Sequence, residues 1–190
     1  MDKVELRRFL RRLVRSMTPR QMAIKSTNAC QLLASTQEFM QARVLMLFLS
    51  LSDEVDTTLA IQSAWQASKV VAVPQVDWQT RQMTAVVLED LAQVRIGRYG
   101  LRVADSNRVV GTEQIDLVVT PGLGFDRQGH RLGRGSGFYD RFLADKTLKA
   151  RRCGLCFAEQ LLDQIPITGS DQPVDMIVTD QEVIMVKKGV

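Results

Sequence analysis

Two periodicities alternate along this chain. In residues 3 to 15, Leu6, Leu10, Leu13 and Val14 form an apolar stripe, and Arg7, Arg8, Arg11, Arg12 and Arg15 the polar side. That spacing predicts an amphipathic helix. Thr18-Pro19-Arg20-Gln21 starts a second helix, with a threonine cap, proline at the first helical position and glutamine at the third. Its pattern runs to about Leu33. The period then shortens. VLMLFLS, from Val44, reads as a buried strand that ends in the loop SDEVDT, whose Asp56 caps a helix from Thr57 to about Ser68. KVVAVPQV is the next strand, ended by Pro74, and MTAVVL (Met83 to Leu88) and IDLVVT (Ile115 to Thr120) follow. A helix starting near Ser136 places Phe138, Tyr139, Phe142 and Leu143 on one apolar face. RCGLCFA reads as a strand leading into a short helix around Glu159 to Asp163. DMIVTD (Asp175 to Asp180) is the last firm strand, and EVIMV pairs at an edge.

Apolar strands alternating with helices predict an α/β fold: a three-layer sandwich with a mostly parallel central sheet covered by helices on both faces. The 190 residues contain no repeat, linker or low-complexity tract, so residues 1–190 read as a single domain. Ligands in such sheets bind beyond the carboxyl ends of the strands. Three segments qualify: SDEVDT, the segment after IDLVVT, and the segment before DMIVTD.

Composition narrows the class. A charged fraction of 24% and a hydrophobic fraction of 45% are those of a soluble globular protein. The net charge of +4 suits an anionic small molecule as well as a nucleic acid. The three cysteines, an odd and low count, point to a reducing compartment. Cys153 and Cys156 form a lone CxxC on a strand, so their side chains face opposite ways and read as two small buried residues rather than a zinc or redox site. The only histidine, His130, excludes multi-histidine metal sites and reads as an exposed loop residue. Arginines interrupt the N-terminal apolar runs, and VLMLFLSL is too short to span a bilayer. A cytoplasmic protein with no membrane and no obligate protein partner is expected.

The chemistry concentrates in Pro121 to Phe142, PGLGFDRQGHRLGRGSGFYDRF. A strand, a glycine-rich loop and a helix N-terminus form a ready anion site, because free backbone N–H groups and the helix dipole favour negative charge. Arg131 and Arg134 add permanent positive charge. Neither GxxxxGK[ST] nor GxGxxG is present, so this is neither a P-loop nor a dinucleotide fingerprint.

LSLSDEVDT, VTPGLGFDRQGHRLGRGSGFYDRFL and DQPVDMIVTD, in that order and preceded by KVELRR, resemble the 5-formyltetrahydrofolate cyclo-ligase (5,10-methenyltetrahydrofolate synthetase) family from Lys3 to about Asp180. The resemblance implies ATP- and magnesium-dependent closure of 5-formyltetrahydrofolate to 5,10-methenyltetrahydrofolate, with ADP and phosphate released through a phosphorylated formyl intermediate. It implies small-molecule substrates, 5-formyltetrahydrofolate and ATP, and Mg²⁺ as cofactor. It assigns ATP contacts to Lys3 and Arg7 and to the run Arg131, Leu132, Gly133, Arg134, Gly135, Ser136, Gly137, Phe138 and Tyr139. Folate contacts fall on Leu49 and Glu54 and on Arg134 to Phe138. Arg131, Arg134 and Tyr139 are the implied catalytic residues, and Asp140 and Asp171 the magnesium carboxylates. Trp78 is a second aromatic that could wall the pocket. The chain departs from the family pattern at Arg134, Ser136 and Phe138, which bears on affinity more than on reaction class.

Two other classes compete. One is a nucleotide- or nucleic-acid-binding paralogue without cyclisation, suggested by the arginine-rich first helix. Few aromatics and no RRM, KH or zinc module count against it. The other is a sugar-phosphate isomerase or transferase using Glu54 or Asp126 as base.

Overall fold

The computed structural model describes residues 1–187. Its helices are α1 (Lys3–Arg15), α2 (Pro19–Ser35), α3 (Gln37–Gln41), α4 (Thr58–Gln66) and α5 (Phe138–Leu143). Its strands are β1 (Val44–Met46), β2 (Val70–Asp77), β3 (Gln82–Val87), β4 (Val94–Ile96), β5 (Arg102–Ala104), β6 (Val109–Val110), β7 (Leu117–Thr120), β8 (Gly124–Asp126), β9 (Arg131–Leu132), β10 (Arg151–Leu155), β11 (Leu161–Leu162), β12 (Met176–Val178) and β13 (Val183–Met185).

The main sheet runs β13-β12-β10-β7-β1-β2-β3-β6. Strands β12, β10, β7, β1 and β2 are parallel, and β13, β3 and β6 close the edges antiparallel. The expected α/β class is therefore correct. The period-two alternation sorts the core: Leu45, Leu47, Val71, Val73, Leu117, Val119 and Cys153 pack on one face with Ala29, Leu33 and Phe39 of α2–α3 and Ala60, Ile61 and Ala64 of α4. Met46, Ala72 and Val118 face the other way, against Phe142 and Leu143 of α5. The second face also receives a small sheet, β11-β8-β9, with Phe125 packed on Cys156 and Ile177. Leu6 and Leu10 of α1 cover that sheet through Leu123, Leu132 and Ile165. Gly154 permits the contact: a Cβ there would lie 2.3 Å from Phe125 Cε1. Cys153 and Cys156 are buried on opposite faces, as their spacing predicts.

The first helix has the expected bounds, with Asp2 and Glu5 forming a capping box. The second is capped by Thr18 and Gln21. The cap of α4 is Thr57 rather than the expected Asp56 and makes no side-chain cap bond; Asp56, one residue earlier, accepts the amide of Thr58 at 3.0 Å. Several expectations are corrected. Pro74 does not end its strand: β2 continues to Asp77, with Pro74 opposite Ala85. Beyond Ala72, β2 has no partner on its β1 side, so a residue without an N–H costs no ladder bond there. No α-helix forms at Glu159 to Asp163; a 3₁₀ turn at Ala158–Gln160 leads directly into β11. Helix α3, the β4–β5 ribbon and the β8–β9 hairpin were not anticipated. Among the described residues no helix is long and apolar enough to cross a membrane.

Strand β1 leads through α4 to β2 on one side, whereas β7 lies on the other side of β1. The chain order thus reverses between β1 and β7. The loops leaving these strands diverge at this switch point and leave a crevice at the carboxyl ends, where ligands of open α/β sheets bind. The loops concerned are residues 47–57 and 121–137.

Candidate active site

A cavity of about 360 Å³ opens at this point. Leu49, Leu51 and Glu54 line it from the loop after β1, and Pro121, Gly122, Arg131, Gly133, Arg134, Ser136 and Gly137 from the glycine-rich loop. Phe138, Tyr139 and Asp140 contribute from the start of α5, and Trp78, Met83, Tyr99 and Arg102 from the β2–β3 and β4–β5 hairpins. Its volume is that of a small-molecule site.

The glycine-rich loop is a hairpin followed by a helix. The arm β8–β9 turns at Gly129, and Gly135 (φ 112°) and Gly137 (φ 68°) adopt left-handed conformations that steer the chain into α5. The hairpin is braced by Asp126, whose carboxylate is fully buried and accepts the amides of Gln128 (3.0 Å), His130 (3.0 Å) and Ile165 (2.9 Å) and contacts His130 Nδ1 at 2.9 Å. Asp126 is therefore saturated and does not line the cavity, which removes it as a catalytic base. His130 is half-buried against it rather than an exposed loop residue.

Each cation of the glycine-rich loop meets a carboxylate of the chain itself. Arg131, 6% exposed, donates to Asp140 Oδ1 at 2.8 Å and lies over the Tyr139 ring, 5.5 Å from its centroid. Arg134 reaches across the crevice to the loop after β1, donating to Glu54 Oε1 at 2.9 Å and to Asp53 Oδ1 at 2.5 Å. Burial pushes the Glu54 carboxyl above its ordinary value, and the Arg134 charge and the Leu51 amide offset part of that rise. Burial works against the charge of Arg134, but Asp53 and Glu54 outweigh it and raise its pKa.

Helix α1 presents Lys3 and Arg7 on one face, four residues apart. Arg7 Nε donates to Gly133 O at 2.9 Å, so the helix holds the loop by its backbone. Lys3 pairs with Asp171 and reaches Thr168 Oγ1 at 3.3 Å. Burial would raise the Asp171 carboxyl, but the Lys3 ammonium and the Thr168 amide hold it below the ordinary value. The amide of Gln172 points at Asp140 Oδ1 from 3.4 Å, which brings the Asp171 segment against the start of α5.

Two buried polar atoms have no hydrogen-bond partner among the described residues: Arg131 Nε and Tyr139 Oη. Such groups are costly to leave unpaired. Burial, with the nearby Glu54 charge, pushes the Tyr139 phenol far above its ordinary value, so it stays a hydrogen-bond donor. Both belong to cavity-lining residues and await a partner.

Most of the site residues singled out from the sequence thus gather around one crevice. Lys3, Arg7, Leu132, Gly135 and Asp171 do not line the cavity itself. The β4–β5 ribbon with Tyr99 and Arg102, and Asp53 beside Glu54, were missed. Gly97 and Gly100 flanking Arg98-Tyr99 were the available hairpin signal.

Comparison with known proteins places the chain by sequence and by fold. A 5-formyltetrahydrofolate cyclo-ligase from Mus musculus is 29% identical over 183 residues, covering 90% of each chain. The 5-formyltetrahydrofolate cyclo-ligase of Escherichia coli (strain K12) is 27% identical over 179 residues, 92% of this chain and 98% of that one. The NMR structure of Aquifex aeolicus 5,10-methenyltetrahydrofolate synthetase superposes with a TM-score of 0.86 at 27% identity, covering 100% of this chain and 95% of that chain. The profile of the 5-formyltetrahydrofolate cyclo-ligase family matches residues 1–180, the span that holds every residue of the crevice, and the chain belongs to that family.

Proposed function

We propose that the protein closes 5-formyltetrahydrofolate to 5,10-methenyltetrahydrofolate at the expense of ATP, releasing ADP and phosphate. The observation that carries this reading is that one cavity joins a phosphate-type loop to a buried carboxylate: Arg131 and Ser136 to Tyr139 share it with Leu49 and Glu54. The related proteins named above support it.

The chemical problem is a poor leaving group. Attack of the formyl oxygen on the γ-phosphorus expels ADP and makes that oxygen a phosphate ester. The N10 amine then adds to the formyl carbon, its proton is lost, and phosphate departs with the former formyl oxygen. Positioning and charge stabilisation dominate such transfers. Glu54 would hold the pterin, whose N–H groups match the paired acceptors of a carboxylate. Arg134, tied to Asp53 and Glu54, keeps that acceptor oriented and joins the two loops. Arg131, dehydrated and aimed by Asp140, is the phosphoryl-stabilising cation, and its orphan Nε and the Tyr139 hydroxyl supply two preorganised donors. Lys3, Arg7 and the loop amides from Leu132 to Gly137 receive the remaining phosphate charge.

Among the described residues no three His, Cys, Asp or Glu side chains gather as a metal cage. Asp140 and Asp171 are half-buried oxygen donors on adjoining segments, a set that suits Mg²⁺, which uses one or two carboxylates and completes its shell with water and substrate phosphate. Bound there, Mg²⁺ would neutralise phosphate charge. Lys3 and the Thr168 amide both meet Asp171 through Oδ2, so Mg²⁺ would be held there through Oδ1.

The test is absorbance at the methenyl-folate band after mixing protein, 5-formyltetrahydrofolate and Mg-ATP, with and without EDTA. An ATP-dependent, EDTA-sensitive rise is expected. A flat trace from folded protein that still binds ATP would falsify the reading.

A further inference from the structure

Three arginines line the cavity: Arg102, Arg131 and Arg134. Two are neutralised by the chain, Arg131 by Asp140 and Arg134 by Asp53 and Glu54. Arg102 is half-buried on β5, in register with Ile96, and its guanidinium has no hydrogen bond or ion pair to any described residue. Leu101, Val103, Met83, Trp78 and Tyr99 line the same cavity. A partly dehydrated guanidinium on an apolar wall is costly unless something pairs with it. No carboxylate of the described residues pairs with it, so its donors are open to a ligand anion.

The wall also describes the ligand. Trp78 packs edge-on against Tyr99 (centroids 4.8 Å apart) and against Phe138 (5.1 Å), so three rings surround one side of the cavity. A flat aromatic group ending in an anion fits such a surface, and the guanidinium fork favours a carboxylate bound through two oxygens. We propose that Arg102 is the carboxylate subsite of this enzyme, receiving the amino-acid end of the substrate while Trp78, Tyr99 and Phe138 take the aryl ring that precedes it. The inference rests on the folate reading above, because 5-formyltetrahydrofolate carries an aminobenzoyl ring followed by a glutamate dicarboxylate. It assigns the substrate's tail to the β4–β5 ribbon, which joins the start of α5 through the Tyr99, Trp78 and Phe138 rings.

The test compares 5-formyltetrahydrofolate with the same molecule carrying both glutamate carboxyls as primary amides, on wild type, Arg102→Ala and Arg102→Lys. In wild type, KM for the diamide should exceed that for the parent by about tenfold or more, the scale of one charge-assisted pair. Arg102→Ala should raise KM for the parent by a similar factor, leave KM for the diamide and both kcat values within about twofold, and be partly rescued by Arg102→Lys. Equal losses on both substrates, or none, would overturn the proposal. So would a rise confined to the KM for ATP, which would place a phosphate at Arg102. Because the readout is a ratio between two ligands on one preparation, a fraction of unfolded variant cannot mimic it. If Arg102→Ala does not fold, the wild-type ratio decides, and a ratio of one sinks the subsite. If wild type turns over neither compound, the cyclisation reading fails by itself. Calorimetric affinities for the two compounds then judge the subsite, equal values overturning it.

Discussion

Asp126 and Asp140 lie in one motif, at opposite ends of the glycine-rich segment, yet they do different work. Asp126 sits at the base of the β8–β9 hairpin, fully buried, with three amides and the His130 ring satisfying its oxygens. Asp140 sits in the first turn of α5 at the cavity, 21% exposed, with one short bond from Arg131 and one long contact from Gln172. The first carboxylate has no capacity left and serves the fold. The second keeps free acceptor sites beside an anion-binding loop. Hydrogen-bond saturation separates a spent carboxylate from one with acceptor capacity left where residue type and motif do not.

The largest expected effect breaks the structural side of this contrast. Asp126→Ala would strand the buried Ile165 amide and the part-buried amides of Gln128 and His130, so a loss of about 3 kcal/mol is expected, read as a drop of roughly 8 °C in thermal denaturation. A variant that melts with wild type would show that the hairpin does not need its brace. Next, Asp140→Ala should leave the melting temperature within a few degrees but cut turnover about a hundredfold or more, the scale of one preorganised charge in a transition state. Full activity in that variant would dissolve the distinction between the two acids.

A smaller effect is expected at Glu54→Gln, which keeps the shape but loses the charge facing Arg134. KM for the folate should rise about tenfold with little change in KM for ATP. A change in KM for ATP alone would move Glu54 to the nucleotide side. The smallest concerns Asp171. Its folded pKa lies below the ordinary carboxylate value, so its pairing with Lys3 stabilises the protein above the unfolded pKa, and that contribution is lost as pH falls through the folded pKa. Asp171→Asn should therefore flatten the melting curve against pH below about pH 4 and cost less than about 1 kcal/mol at neutral pH, as for other solvent-accessible pairs. A wild-type curve as flat as that of the variant would remove the pairing from solution.

What could be read before folding depended on local physics. Helices α1 and α2, the strands around Leu45, Val71, Val118 and Ile177, and the glycine-rich loop are written in periodicity, caps and turn residues, which act over a few positions. The same holds for the opposite facing of Cys153 and Cys156. Local rules failed where a distant partner changed the balance. Pro74 is tolerated because β1 has already ended beside it, and residues 161–162 are drawn into a strand by pairing with β8 rather than continuing as a helix.

The candidate site divides in the same way. Residue types in the glycine-rich loop were enough to nominate Arg131 and Arg134 as anion-binding cations, whereas the roles of Glu54, Tyr139 and Asp140 came from the family resemblance. Only the tertiary structure decided that Arg134 answers Glu54 across 80 positions of chain and Asp53 across 81, that Asp126 is spent on backbone amides, and that Arg102 lines the cavity with no ion pair to a described carboxylate. A sequence determines which charges a chain carries and which segments are helical or extended. Which charges neutralise one another depends on long-range contacts that exist only once the sheet has brought its loops to one edge.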